Sequence, residues 1–285
     1  MNARPALVSY WSGLASNYAT LGPPLRPSDE DLRCFESSIA NWAGTHPGVF
    51  IRAVLLGVTP DIASMRWPEN SSLVAFDRSD AMIGGVWRAK HEARVSHGGS
   101  RCAVQADWRA MPRKDRSCHI VIGDGSLSSV RFPDESRTVL GEIRRILEPS
   151  GIALLRCYIQ PSVKEQPQRL LDALGEIPSF HEFKLRLLMA LQPSAESGIS
   201  VRDVYRFWAR QRFDSNLLSA RTGWDPAAIE MMELYRDSET VYSFPTMAEL
   251  ESLLREFFGE IAIASAGRLG ETCPIIMLRG ETPPR

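Results

Sequence analysis

Four short apolar runs in the first half of the chain constrain the fold more than any other feature. They are residues 51–56 (IRAVLL), 73–76 (LVAF), 102–106 (CAVQA) and 119–122 (HIVI), and each is closed by small or polar residues. A fifth, residues 152–159 (IALLRCYI), follows a stretch of helical character at 134–147. The hydrophobicity within each run is near-continuous rather than alternating, which suits parallel strands covered on both faces. Segments of helical length, 61–67 and 79–90, lie between them. Such alternation predicts an α/β fold with a doubly wound sheet.

Composition narrows the functional class. The 285 residues carry 33 Lys+Arg against 34 Asp+Glu, a formal charge of −1, with 44% hydrophobic residues. That balance excludes a disordered or strongly basic nucleic-acid-binding chain. Cys34, Cys102, Cys118, Cys157 and Cys273 are scattered without a C-x-x-C spacing, so they read as buried, reduced thiols rather than a disulfide framework or zinc site. No metal is expected. No signal peptide is evident at the N-terminus, and no apolar run reaches the ~18 residues of a membrane span. The expected location is cytoplasmic.

The chain divides by character into four parts. Residues 1–48, with Tyr10, Trp11, Tyr18, a Gly-Pro-Pro break at 22–24 and a helix expected over 29–43, form an N-terminal helical cover. Residues 49–160 hold the strands, with Pro149-Ser150-Gly151 expected to break the chain before the fifth. Residues 161–243 form a helical insertion, with helical periodicity at 180–191 and 201–213. Residues 244–285 hold a helix with Thr246 as N-cap and Glu249 three residues on. Two closing strands, 261–264 and 274–278, follow and pair as a hairpin.

Ligands of open parallel sheets bind beyond the carboxyl ends of the strands, at the switch point of strand order. Strand one ends at Gly57-Val58-Thr59-Pro60-Asp61, strand two at Asp77-Arg78-Ser79, strand three at Asp107-Trp108 and strand four at Gly123-Asp124-Gly125-Ser126. Each acid has a use if the ligand contains adenosine. A carboxylate after strand two accepts hydrogen bonds from both ribose hydroxyls, and one after strand three accepts from the adenine amine. Gly57 lets the backbone approach a ligand without a Cβ in the way. A lone Asp at a strand end can equally cap the following turn; the ordered set favours the ligand.

The order RAVLLGVTPDIA, SLVAFDRSDAMI, CAVQADWRAMP, CHIVIGDGSLSSV and EIRRILEPSGIALLRCYI resembles class I (Rossmann-like) S-adenosylmethionine-dependent methyltransferases. The resemblance is close over about residues 50–160 and loose over 244–279. It implies a mostly parallel seven-stranded sheet with an antiparallel last strand, and S-adenosyl-L-methionine as cofactor. The implied cofactor contacts are Gly57, Val58 and Thr59 around the methionine part, Asp77 at the ribose, Asp107 and Trp108 at the adenine, and Gly123, Asp124 and Gly125 under the sulfonium, with Arg78 and Met82 as further cofactor contacts. One departure is plain: where the family has several glycines in the first loop, this chain has only Gly57.

A small-molecule acceptor is expected, with the helical insertion forming much of its pocket. Candidate catalytic residues are Asp124, otherwise a turn-capping acid, and His181, otherwise a packed histidine of the insertion. His119 reads as core. Candidate acceptor contacts are Tyr10, Trp11, Tyr18, Arg156, Tyr158, Lys184 and Trp208. No Asn-Pro-Pro-Tyr tetrapeptide follows strand four, which disfavours base methylation. The arginines at 186, 202, 206, 210 and 212 read either as a site for an acidic acceptor or as an amphipathic face, solvated or paired with Asp203 and Asp214; the charge of −1 disfavours nucleic acid. Two other classes remain: a non-catalytic scaffold that keeps the fold, and a nicotinamide-dependent oxidoreductase, for which the G-x-G-x-x-G loop is missing. Oligomeric state is not written in the sequence.

Overall fold

The computed structural model describes residues 5–88, 100–264 and 269–280, with side chains from Tyr10 onward. The chain opens with helix α1 (Pro5–Ser16) and helix α2 (Asp29–Thr45), whose start is fixed by a reciprocal cap between Ser28 and Asp31. Strand β1 (Ile51–Leu56), the short helix α3 (Pro60–Ser64) and strand β2 (Ser71–Asp77) follow. Next come a turn of helix α4 (Asp80–Met82) running into a π-helical turn at Ile83–Arg88, then β3 (Arg101–Gln105) and β4 (Cys118–Asp124). Helix α5 (Asp134–Ile146) leads into β5 (Leu147–Arg156).

The insertion holds α6 (Pro167–Asp172), α7 (Phe180–Leu191), β6 (Ile199–Ser200), α8 (Val201–Ala209), α9 (Ser215–Thr222), α10 (Pro226–Glu230) and β7 (Val241–Tyr242). Helix α11 (Met247–Leu254), β8 (Glu260–Ala264) and β9 (Ile275–Arg279) close the chain.

The sheet has seven strands in the order β3-β2-β1-β4-β5-β9-β8. Strands β1 to β5 are mutually parallel, β9 runs antiparallel to β5, and β8 pairs antiparallel with β9. The chain steps outward from β1 to β3 and then returns to place β4 on β1's other side, so the switch point lies between β1 and β4.

Continuous apolar strands are explained by what covers them. Ala53, Leu55, Leu73, Ala75, Ile120, Ile122 and Ile152 pack with Phe35, Ile39 and Trp42 of α2. Their neighbours Val54, Leu56, Val121, Ala153 and Leu155 pack on the opposite face against Val139, Leu140, Ile143 and Ile146 of α5 and Leu250, Leu253 and Leu254 of α11. Burying each Val, Leu, Ile or Phe side chain among them stabilises by roughly 1.5–3 kcal/mol relative to exposure. A third cluster fills the insertion around Phe180, Phe183, Trp208 and Trp224.

Several expectations need correction. Pro149-Ser150-Gly151 does not break the chain before β5. It lies within the strand, where the pairing with β4 slips from Cys118↔Leu147 to Ile120↔Ile152 and the extra residues are absorbed as a bulge. The helices expected over 61–67 and 201–213 end early, at Ser64 and Ala209. That over 79–90 becomes α4 and its π-helical turn as far as Arg88; its last two positions lie outside the described residues. Cys102 is exposed and Cys34 only partly buried, because β3 is an edge strand and α2 turns one side to solvent; Cys118, Cys157 and Cys273 are buried. Asp214 pairs with no insertion arginine but caps α9 through the N–H groups of Asn216 and Leu217.

Candidate functional site

The carboxyl ends of β1, β2 and β3 meet around Gly57. Its φ of +91° is in the left-handed region that glycine tolerates. A Cβ built there would sit 3.5 Å from the Trp108 ring and 3.8 Å from Asp77 Oδ2. The Gly57 N–H donates to Phe76 O at 2.8 Å, and Trp108 Nε1 donates to the same oxygen at 2.6 Å. Asp77 Oδ1 accepts from the Ser79 N–H at 2.8 Å. Burial pushes the Asp77 carboxyl up to about 6, against backbone hydrogen bonds from Ser79 and Val58 and the charge of Arg78. Val58 and Met82 are buried beside this corner, and the Met82 N–H donates to the Ser79 hydroxyl.

Asp107 stands beside them but is already held. Arg109 donates through Nε to Oδ1 at 3.0 Å and through Nη2 to Oδ2 at 2.6 Å, and Arg78 Nη1 lies 3.9 Å from Oδ2. These contacts, Arg109 first, keep the carboxyl below the usual range.

A second group forms at the ends of β4 and β5, under the N-terminal cover. Arg156 Nη1 donates to Asp124 Oδ1 at 2.6 Å, and its Nε lies 3.1 Å from Asp31 Oδ2 of α2. Its Nη2 donates to Pro24 O at 2.9 Å, as does the Tyr158 hydroxyl at 3.1 Å. Arg156 is 2% exposed. Burial opposes its charge, but Asp124 and Asp31 hold the guanidinium ionised. Burial raises the Asp124 pKa and Arg156 offsets part of that rise. Gly125, at φ +61°, has no room for a side chain: a Cβ would meet the Tyr158 ring at 2.6 Å. Gly123 packs against Ser126 and Leu155.

The cover also closes on the first loop. Arg26 pairs with Asp61 and lies 5.3 Å from the Tyr18 ring centroid, and Thr59 stands beside the Tyr18 hydroxyl. Thus Thr59, Tyr18, Asp124, Arg156 and Tyr158 belong to one neighbourhood, and Gly57, Asp77, Arg78, Asp107 and Trp108 to the adjoining one.

The remaining candidates lie elsewhere. His181 Nε2 bonds Thr20 O at 2.9 Å, and burial, helped by Lys184, lowers its pKa to about 4. At neutral pH the ring is uncharged and ties α7 to the cover. Trp208 packs among Phe180, Phe183 and Phe213. Tyr10 bonds Tyr242 at 3.0 Å, with Trp11 and Tyr235 alongside, and Lys184 Nζ lies 5.4 Å from the Tyr235 ring centroid. His119 is core, accepting the Arg52 N–H. Arg186 pairs with Glu165 and Glu182, and Arg206 with Asp203.

Sequence reasoning missed Asp31, Asp61, Arg26, Arg109, Tyr235 and Tyr242. Asp61, directly after the first loop, carried a positional signal; the others become neighbours only through long-range packing. Among the described residues no three His, Cys, Asp or Glu side chains converge as metal ligands, and no helix is long and apolar enough to cross a membrane.

Residues 57–155 match the model of a family described as "Methyltransferase domain". Among solved structures, a Rhodobacter sphaeroides protein described as a zinc-dependent alcohol dehydrogenase is similar at 14% identity and TM-score 0.59, covering 98% of this chain and 99% of its own. The CurJ carbon methyltransferase is similar at 12% identity and TM-score 0.54, over 90% of this chain and 56% of that one. The PH0226 protein from Pyrococcus horikoshii is similar at 16% identity and TM-score 0.50, over 93% and 98%. At such identities these likenesses speak to the fold alone. No curated protein matches.

Proposed function

We propose that this chain, which carries a methyltransferase domain on the class I Rossmann-like fold and takes S-adenosylmethionine as its cofactor, transfers a methyl group to a small-molecule acceptor. The observation that carries the reading is the corner formed by Gly57, Asp77, Asp107 and Trp108, which lies within the matched segment at the carboxyl edge of the sheet. The residues fit the cofactor: a Cβ at Gly57 would be in van der Waals contact with the Trp108 ring and with Asp77 Oδ2, so the glycine leaves that contact to a ligand, while Asp77 Oδ1 accepts from the Ser79 N–H.

In this reading Asp77 accepts from the ribose hydroxyls, with Arg78 and Met82 beside it. Trp108 offers its ring to the adenine side, and Asp107 is steered by Arg109. Val58 and Thr59 border the methionine part, and Gly123, Asp124 and Gly125 lie under the sulfonium. When bound, S-adenosylmethionine supplies an electrophilic methyl group for in-line displacement, so placement contributes much of the rate. Arg156 and Tyr158 hold the cover at Pro24, and with Tyr18 they form the wall an acceptor meets. Asp124, its pKa raised, is the acid available to an acceptor proton. His181 anchors the cover, and Tyr10 and Trp11 of the cover, with Lys184 and Trp208 of the insertion, support the acceptor side. We extend the proposal to the division 1–48, 49–160, 161–243 and 244–285, and to a cytoplasmic location, which the five free cysteines support.

Thermal-shift titrations with S-adenosylmethionine, S-adenosylhomocysteine and NAD(H), run side by side, test this reading. A ligand at 100 times its dissociation constant stabilises by roughly 2.7 kcal/mol. Saturable shifts with both sulfur nucleotides and none with NAD(H) are expected, and Asp77→Ala should lose most of them. A folded protein that responds to neither sulfur nucleotide would contradict it.

A further inference from the structure

Helix α7 is tied to the N-terminal cover at its first turn: the Ser179 hydroxyl donates to Pro23 O at 3.5 Å, and His181 Nε2 donates to Thr20 O at 2.9 Å. One turn further on, Lys184 Nζ stands over the ring of Tyr235, 5.4 Å from its centroid, at the end of the 3-10 turn Met231–Tyr235. Tyr235 packs in turn on Tyr10 of α1, with ring centroids 5.9 Å apart, and the Tyr10 and Tyr242 hydroxyls bond at 3.0 Å. Lys184 therefore abuts a group of three tyrosines where the cover meets the insertion.

The chain supplies no counter-charge to this cation. Among the described residues no carboxylate, carbonyl or hydroxyl accepts a hydrogen bond from Lys184 Nζ, and burial is the cause of its lowered pKa, with no neighbouring charge contributing. The groups that face it are uncharged at neutral pH. Burial lowers His181 to about 4 and holds Tyr10, Tyr235 and Tyr242 above the ordinary phenol value. The residue is only 3% exposed, yet Nζ is not one of the sealed, unpartnered polar atoms, as His181 Nδ1 is, so it keeps part of that opening. Buried charges in proteins are as a rule paired. A cation that is buried, unpaired and still reachable is placed to take its counter-ion from a ligand.

We propose that Lys184 is the residue that selects the methyl acceptor, and that the acceptor is a monocarboxylate whose carboxylate docks on the Lys184 ammonium beside Tyr235. The assignment to the acceptor rests on the methyl-transfer reading; the carboxylate site rests on the geometry around Lys184. One uncompensated cation matches one negative charge, whereas a phosphate dianion would leave a buried charge in excess. The ammonium is a compact point charge, and its bond to a carboxylate is charge-assisted. The carboxylate is thus a handle: an analogue without it leaves the ammonium unpaired, which is how a polar site rejects the wrong ligand. The aromatic surroundings, Tyr235 and Tyr10 with Trp11 at 5.0 Å from Tyr10, suit an acid with a flat ring.

Ligand-observed NMR titrations of the full chain with benzoate, and with benzamide as its uncharged counterpart, test the proposal with and without S-adenosylhomocysteine. Benzoate should bind saturably in both conditions, and benzamide at least tenfold more weakly. Only the ammonium answers a carboxylate, so benzoate affinity should hold below pH 8 and fall about tenfold per pH unit above it. Calorimetry at pH 8 in buffers of different ionisation enthalpy should show uptake of about half a proton. Lys184→Met should erase both the preference for benzoate and its pH dependence, and leave the thermal shift with S-adenosylhomocysteine intact. The pH profile needs no variant and decides the matter if Lys184→Met does not fold. No saturable benzoate binding, benzamide bound as tightly, an affinity flat from pH 7 to 10, or a preference that survives Lys184→Met would overturn the proposal. Benzoate held through Lys184 in a chain that ignores S-adenosylhomocysteine would support the carboxylate site and contradict the methyl-transfer reading. The reverse would refute the site and leave that reading standing.

Discussion

Lys184 shows how much a single side chain can hold in reserve. The residue is 3% exposed, with its ammonium 5.4 Å from the Tyr235 ring centroid, and burial pushes its pKa down to about 8. The folded pKa lies below the unfolded one, so the fold favours the neutral amine. That contribution is complete above about pH 10.4 and is lost as pH falls through about 8. At neutral pH the chain therefore carries a buried, imperfectly compensated charge. Lys184→Met should raise stability at pH 7 by about 2–3 kcal/mol in a urea titration, with the gain shrinking toward pH 10. Equal stability at pH 7 would mean the ammonium is fully compensated. If Lys184 serves an acceptor, the same variant will be more stable and less active, the usual exchange at a functional position.

At the scale of elements, local chemistry was legible and long-range chemistry was not. The cap at α11 is an instance of the first. Thr246 accepts the Glu249 N–H, and Glu249 accepts the Thr246 N–H at 2.8 Å. Thr246→Ala should cost about 1 kcal/mol, read as a fall in the denaturation midpoint with unchanged slope; no change would show the helix held by packing alone. The apolar runs announced β1 to β5: β1, β4 and the last residues of β5 are buried on both faces, whereas the edge strand β3 keeps an apolar run with no residue fully buried. Their ends announced Asp77 and Asp107. Pro149-Ser150-Gly151 misled because a bulge can absorb a turn-like tripeptide when its neighbours still pair. The partners of the site residues were hidden for a different reason. Arg109 lies two residues from Asp107, but nothing local says that it folds back on it. Asp31 reaches Arg156 only because α2 lies against the sheet.

For the whole molecule, Arg156 is the junction that joins cover to sheet. It touches Asp124 at the end of β4, Asp31 of α2 and the carbonyl of Pro24. A buried ionic cluster is weak evidence for stability by itself, yet removing one partner strands the others. Arg156→Leu should destabilise by about 3–5 kcal/mol in chemical denaturation and make residues 17–27 more sensitive to limited proteolysis. A loss under 1 kcal/mol with unchanged cleavage would show that the cover is held independently of the cluster.

The most direct test of the central claim, that Asp77 is the ionised acceptor for the cofactor's ribose, is a calorimetric titration of S-adenosylhomocysteine across pH 5 to 8. The free carboxyl titrates at about 6, and only the carboxylate can accept from both hydroxyls. The dissociation constant should be flat above about pH 7 and rise roughly tenfold for each pH unit below the pKa. Asp77→Asn should bind weakly at every pH. Equal affinity at pH 5 and pH 8, in a protein folded at both, would contradict the account.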